Sequence, residues 1–455
     1  MIRSPKIGVV TLGCPKNTTD TEVMLGLLNQ AGFELTFDND QADIVLVNTC
    51  SFIEDARRES VKTLVELACD GKEVIVAGCL AQHFKEELLK ELPEARAIVG
   101  TGDIHKIVDV MKAIVEDSSL RIIQVSAVPN DHVDEVQPRL QTSVGASAYL
   151  KVAEGCDHRC TFCIIPQLRG DFRSRSIESL VKEARYLVAS GTREIILISQ
   201  DTSYYGLDLY GRMALPELLE QLHEIEGLEW IRIMYFYPTE TNEQLLRTMA
   251  HLPKVVKYVD IPLQHSHPDV LKSMARPIGP EKQIKLIREN LPEAAIRSTF
   301  IVGFPGETEE QFEHLCQFIE THKFDRLGVF TYSRQMEVPS GHMDEQIPER
   351  VKKARRKRIM EIQHRISSER NAALVGTEID VLVEGYDDEK GHYHARSQWD
   401  APQIDNQVYI KSNELDSALL GEIVKVRIMS AKPYDLIAEL VEVAAEEQAL
   451  AGAAV

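Results

Sequence analysis

Over the first hundred residues, short apolar runs alternate with amphipathic stretches. Segments 6–12, 42–48 and 73–77 read as strands, and 21–31 and 53–69 read as helices between them. That rhythm predicts a small parallel α/β domain over residues 1–120. The pattern fades into a polar stretch at about 118–145 and then resumes. Strands are expected at 149–153, 194–199, 230–235, 258–262, 297–302 and 326–331, most of them separated by helical segments. Six repeats are too few for a closed eight-stranded barrel. A long helical pattern then runs to about residue 373. Past Gly376 five short alternating runs, at 378–383, 392–396, 407–410, 423–429 and 436–441, predict a small β-barrel over 373–442. Residues 443–455 are rich in Ala and Glu and read as a frayed end.

Composition narrows the class. With 455 residues, 44% hydrophobic and 27% charged, the chain has material for several cored domains. The N-terminus has no apolar stretch of signal-peptide type and no apolar run reaches membrane-spanning length, so a cytoplasmic protein is expected. Eight cysteines are too sparse for a secreted disulfide framework and favour metal or redox use. The net charge of -20 repels nucleic acid and favours a basic partner, unless a local basic patch overrides it. The one dense basic block, Arg-Val-Lys-Lys-Ala-Arg-Arg-Lys-Arg at 350–358, reads as a solvated linker helix before it reads as a nucleic-acid patch.

The cysteines carry the chemistry. Cys14, Cys50 and Cys79 each follow a predicted strand, and the carboxyl ends of parallel strands share one edge, where ligands bind. Any one of them alone reads as a buried inert thiol; three at equivalent positions point to a shared metal site. Cys69 and Cys316 fall inside helix patterns and read as packing residues. Cys156, Cys160 and Cys163 form a C-x3-C-x2-C triplet in the loop after the first strand of the second region. Three thiolates leave a tetrahedral or cluster site one ligand short. One reading is a zinc knuckle completed by His158 or a remote residue. The other is a 4Fe-4S cluster with an open iron, and the spacing resembles that of the radical-SAM superfamily. That resemblance implies an open partial (β/α)6 barrel over 146–372 and S-adenosylmethionine at the open iron.

Other candidates lie on the same barrel face. Gly303 and Gly306, in Ile-Val-Gly-Phe-Pro-Gly-Glu-Thr, allow close approach of backbone to a ligand or serve a tight turn, with Thr308 capping the next helix. Gln264 and His265 end the fourth strand, where a lone His reads as a satisfied hydrogen-bonding residue. Arg173 and Arg175 offer a cation for a carboxylate.

Taken together, the three modules resemble the methylthiotransferase family, whose C-terminal barrel is a TRAM domain. Gly-Cys-Pro-Lys-Asn at 13–17, Val-Asn-Thr-Cys-Ser-Phe-Ile at 47–53, Cys-Thr-Phe-Cys-Ile-Ile-Pro at 160–166 and Asp-Ile-Pro-Leu-Gln-His at 260–265 resemble the branch acting on an aspartate of small-subunit ribosomal protein S-twelve. The tRNA branch typically carries Gly-Cys-Gln-Met-Asn and Gln-Ser-Gly-Ser instead. The resemblance implies two 4Fe-4S clusters, at Cys14/Cys50/Cys79 and Cys156/Cys160/Cys163. The second would generate a 5′-deoxyadenosyl radical, the first would hold the sulfur to be transferred, and Gly303, Gly306, Gln264 and Arg175 would contact cofactor. An external reductant and a sulfur source are implied, with the ribosomal protein free or in its subunit as partner and tRNA disfavoured. Segment 334–341 departs from the family's acidic, Gly-containing sequence, so its role is open. The terminal barrel has 13 acidic against 6 basic residues over 373–440, which suits a basic protein or simply aids solubility.

Overall fold

The computed structural model describes residues 5–127, 136–142, 145–412 and 415–441. Six parallel strands form its first sheet: β1 (Lys6–Thr11), β2 (Glu34–Leu35), β3 (Ile44–Thr49), β4 (Glu73–Gly78), β5 (Ala95–Val99) and β6 (Ile122–Gln124), in the order β2-β1-β3-β4-β5-β6. Strand β3 is buried at every position. Its alternate residues feed two cores, as a strand covered on both faces must. Ile44 and Leu46 pack with α1 (Pro15–Gln30) and α4 (Ile107–Glu116), while Val45 and Val47 pack with α2 (Glu54–Cys69) and α3 (Cys79–Glu91).

Three elements depart from the sequence pattern, two of them because polar residues are buried. Helix α1 starts at Pro15, not at residue 21, and Lys16, Asn17, Thr19, Asp20, Thr21 and Glu22 are all buried on it, which hides the apolar period. Strand β5 was masked by Arg96, a buried guanidinium that pairs with Glu73 and bonds the carbonyls of Ile114, Asp117 and Leu120. Strand β6 lies within the polar stretch, past the expected domain limit at 120. In that stretch too, Arg139 is buried between Glu22 and Glu183 and so ties α1 to the second module.

The second module follows its predicted strands closely. Strands β7 (Ser147–Lys151), β10 (Glu194–Ile198) and β11 (Trp230–Ile233) form one parallel sheet, and β12 (Tyr258–Asp260), β13 (Ala295–Val302) and β14 (Arg326–Thr331) form another. A single bridge from Ile231 to Val255 joins them into the open partial barrel. Between β7 and β10 a short pair, β8 (Ala153–Glu154) and β9 (Arg173–Ser174), brackets the cysteine triplet and the one-turn helix α5 (Ile165–Arg169).

The linker helix Glu349–Ala373 is less solvated than its charge suggested. Lys352 and Arg355 are buried, and Arg355 and Arg358 pair with Glu309 and Glu313 of helix Glu309–His322, so part of the basic block is neutralised internally. Strands β15 (Glu378–Asp387), β16 (His392–Ser397), β17 (Val408–Lys411), β18 (Ile423–Ala431) and β19 (Leu436–Leu440) close into a barrel, in the order β15-β16-β17-β19-β18. It docks through charge: Arg396 and Arg232 both pair with the fully buried Glu194, and Arg326 pairs with Asp400. Segment 443–455 lies outside the described residues. Among the described residues no helix is long and apolar enough to cross a membrane.

Candidate functional site

The first three cysteines meet where adjacent strands end. Cys14 is the N-cap of α1, Cys50 directly follows β3, and Cys79 opens α3 directly after β4. Strands β1, β3 and β4 are consecutive neighbours, so the three loops share one sheet edge. Gly13, at φ +96°, makes the approach possible: a Cβ there would lie 2.8 Å from the Cys50 Cβ and 3.1 Å from its Sγ. Ser60 fixes the Cys50 backbone from both sides, accepting from its N–H at 3.0 Å and donating to its carbonyl at 3.1 Å.

The triplet loop is pinned at its base and its rim. Gly155 has φ +81° and would clash with the Asp171 carbonyl, 2.1 Å away, if it carried a Cβ. The Cys156 N–H donates to the Gly170 carbonyl at 3.1 Å, and Asp157 accepts from the Phe172 N–H at 2.9 Å. Thr161 is held by the Ser273 and Met274 carbonyls and by the Ser340 N–H. His158 is engaged by Asp201 at 2.7 Å and stacks on Tyr237, with ring centroids 3.5 Å apart. The Nε2 of His158 is thus taken up by Asp201 and not by the triplet. Arg276 donates toward the Cys160 Sγ at 3.9 Å and lies 4.1 Å over the Tyr237 ring.

Both trios suit iron. All six thiols are free of disulfides, and burial pushes Cys79, Cys156 and Cys163 up to about 12. At Cys79 burial outweighs the opposing pull of Arg169. Thiols this hard to ionise become thiolates when a strongly Lewis-acidic metal replaces the proton.

One side chain spans the two modules beside the trios. Arg169, at the end of α5, donates to Asp20 at 3.1 Å, Glu154 at 2.9 Å and Asn17 at 2.8 Å, and reaches the Cys79 Sγ at 3.7 Å. Lys151 spans Asp20 and Glu154, 2.7 Å from each. Burial opposes ionisation of Glu154, yet Arg169 and Lys151 outweigh it and hold its carboxyl well below the usual range. Two tyrosines on the chain leaving β11 also face both trios. Tyr237 lies under His158 and Arg276, and the Tyr235 ring carries the Lys16 ammonium 3.2 Å from its centroid. Burial lowers Lys16 to about 8, with Cys14 opposing.

Segment 334–341 acquires a clear role as a strap over both loops. The Gln335 side chain donates to the Phe52 carbonyl, the Gln167 side chain donates to the Glu337 carbonyl, and Ser340 holds Thr161. It thus touches the segment after Cys50 and the loop carrying Cys160.

Other expected site residues divide. Gln264 is held at φ +71° between β12 and β13, and its side chain makes no hydrogen bond among the described residues, so it is free for a ligand. Gly303 and Gly306 both have positive φ in the turn, and a Cβ at either would abut protein, the Lys352 methylenes at 2.3 Å and a Glu345 oxygen at 3.1 Å. Thr308 caps its helix as expected. Arg175 is not available to a cofactor carboxylate, because it is buried against Glu183 at 2.6 Å and Ser179 at 2.8 Å. His265 is a buried, bonded histidine near Glu307 and the His267 N–H. Cys316 packs as expected, whereas Cys69 is exposed at the last turn of α2. The reading missed Lys16, Asp20, Glu154, Arg169 and Arg276; the available signal was the polar run Lys-Asn-Thr-Thr-Asp-Thr-Glu at 16–22 following a candidate ligand.

Comparison with known proteins matches three segments of the chain. The model described as uncharacterized protein family UPF0004 matches residues 6–100, the radical SAM superfamily matches 150–319 and the TRAM domain matches 375–441. A ribosomal protein uS12 methylthiotransferase RimO from Synechococcus sp. (strain RCC307) is 52% identical over 441 residues, covering 96% of this chain and 90% of its own length. The protein of the same name from Gloeobacter violaceus is 51% identical, with 95% and 98% covered. Among solved structures, the radical S-adenosylmethionine methyltransferase TsrM from Kitasatospora setae, with cobalamin and a [4Fe-4S] cluster bound, has a TM-score of 0.53 at 16% identity, covering 74% of this chain and 77% of that one. That likeness is one of fold.

Proposed function

The chain belongs to the radical-SAM family of ribosomal protein uS12 methylthiotransferases, and from that membership we propose that its two cysteine trios divide one reaction between them. The reaction replaces a β-hydrogen of a uS12 aspartate with a methylthio group. No side-chain base removes so weakly acidic a hydrogen, so a radical route is required. Bound at Cys156, Cys160 and Cys163, a 4Fe-4S cluster with S-adenosylmethionine supplies the radical, and a second cluster at Cys14, Cys50 and Cys79 supplies sulfur.

The chain's own residues position these groups. Gly155 and the strap 334–341 set the triplet loop, Arg276 supports it at Cys160, and Gln264 is the side chain we assign to the bound nucleoside. The observation that supports the reading is Arg169, which reaches Cys79 of one trio and Glu154, two residues before the first cysteine of the other. Three working units follow: the first α/β module, extended past 120 to include β6, the partial barrel with its linker helix, and the terminal barrel. The acidic surplus of the terminal barrel suits a basic protein and disfavours tRNA. Each turnover needs an external electron donor and a renewed sulfur source, and the work belongs in the cytoplasm, where ribosomal proteins are made.

The test is competitive. Reconstituted enzyme is incubated with uS12, with small subunits and with bulk tRNA, and products are weighed by mass spectrometry. A methylthio gain on uS12, free or in the subunit, is expected. A gain on tRNA alone would replace this reading by that of a tRNA methylthiotransferase.

A further inference from the structure

A buried cation without a counter-charge is costly, and this fold otherwise avoids one. Among the described residues, each of the other eight buried lysines and arginines forms an ion pair with a carboxylate, Arg139, Arg169 and Arg396 among them. Lys16 is 6% exposed and is the exception. Its ammonium makes no ion pair or hydrogen bond among the described residues and rests only on the face of Tyr235. A ring face attracts a cation but does not neutralise it.

Its position indicates the missing anion. Lys16 is two residues from Cys14, on the first turn of α1. Its platform, Tyr235, is two residues from Tyr237, which lies against His158 of the triplet loop and Arg276. The ammonium therefore lies beside the trio assigned to sulfur, on the tyrosine pair whose other member lies against the triplet loop. Given that assignment, the β-carbon that receives sulfur must come to this trio, and the aspartate carboxyl is one bond from that carbon. Nearby cations are already committed: Arg169 to Asp20 and Glu154, Arg175 to Glu183, and Arg297 to Asp260. Arg276 has no carboxylate either, but it lies against Cys160 on the radical side.

We propose that Lys16 holds the side-chain carboxylate of the target aspartate and so selects an anionic residue for modification. This rests on the uS12 reading above. The competing role for its charge is to balance the thiolates of the Cys14 trio.

The test uses full-length, anaerobically reconstituted enzyme and two synthetic peptides spanning the target segment of uS12, one with the native aspartate and one with asparagine in its place. Peptide affinity, methylthio mass gain and iron content are measured for wild type, Lys16→Met and Lys16→Arg. Wild type is expected to prefer the aspartate peptide by about 30-fold or more in affinity. Lys16→Met is expected to bind the two peptides alike with full iron content, and Lys16→Arg to keep part of the preference. If Lys16→Met keeps the wild-type preference, or if it loses iron from one cluster, the carboxylate role is overturned while the uS12 reading stands. If wild type modifies neither the aspartate peptide nor uS12, the substrate reading fails and the role of Lys16 fails with it.

Discussion

A guanidinium sealed from water must be matched by charge, and Arg169 is matched from both sides of a module boundary: Asp20 comes from α1 and Glu154 from β8. Arg169→Met leaves these carboxylates to Lys151 alone and is expected to cost about 3 kcal/mol, read as a lowered urea midpoint of the chain. A change within a few tenths of a kcal/mol would show the network to be slack. Residues of this kind were the least legible in the sequence. Cysteine spacing disclosed all six candidate ligands, because a thiol after each of three strands is a pattern in one dimension. What a charge pairs with is a fact of three dimensions. Arg175 looked available beside the triplet and proved committed to Glu183, whereas Arg169, six residues earlier, reaches Cys79 and Glu154.

At the scale of elements, the strands and the terminal barrel were readable because their apolar residues keep a period of two or run unbroken. Helix α1 and strand β5 were blurred where buried polar residues replaced apolar ones, and β6 is a three-residue strand inside a polar stretch. The strap 334–341 had no signal of its own, since it is held by backbone carbonyls of distant loops. The triplet loop depends on a backbone shape that only glycine adopts without strain. Gly155→Ala forces a Cβ toward the Asp171 carbonyl and is expected to reduce iron bound at the triplet by more than half, with the first trio still loaded. Full iron, about eight per chain, in that variant would show that the loop tolerates the shift.

For the whole molecule, the terminal barrel is docked rigidly by buried charge. Burial opposes ionisation of Glu194, but Arg396 and Arg232 outweigh it and bring its carboxyl down to about 2. Since the folded value lies below the usual 4.5, this pairing stabilises fully above about pH 5 and is lost as pH falls toward 2, a change of about 3 kcal/mol. Wild type should lose stability steeply over that interval, and Glu194→Gln should show a shallower slope from a lower starting point. Equal slopes would place the acid sensitivity elsewhere. On the division of labour proposed above, the two trios perform separable halves of a reaction. The most direct measurement is a single anaerobic incubation of Cys50→Ala with S-adenosylmethionine, reductant and uS12, following 5′-deoxyadenosine and methylthio product together. In that variant 5′-deoxyadenosine is expected still to form, iron to fall from about eight to about four per chain, and no methylthio product to appear. Methylthiolated uS12 from that variant would contradict the division of labour.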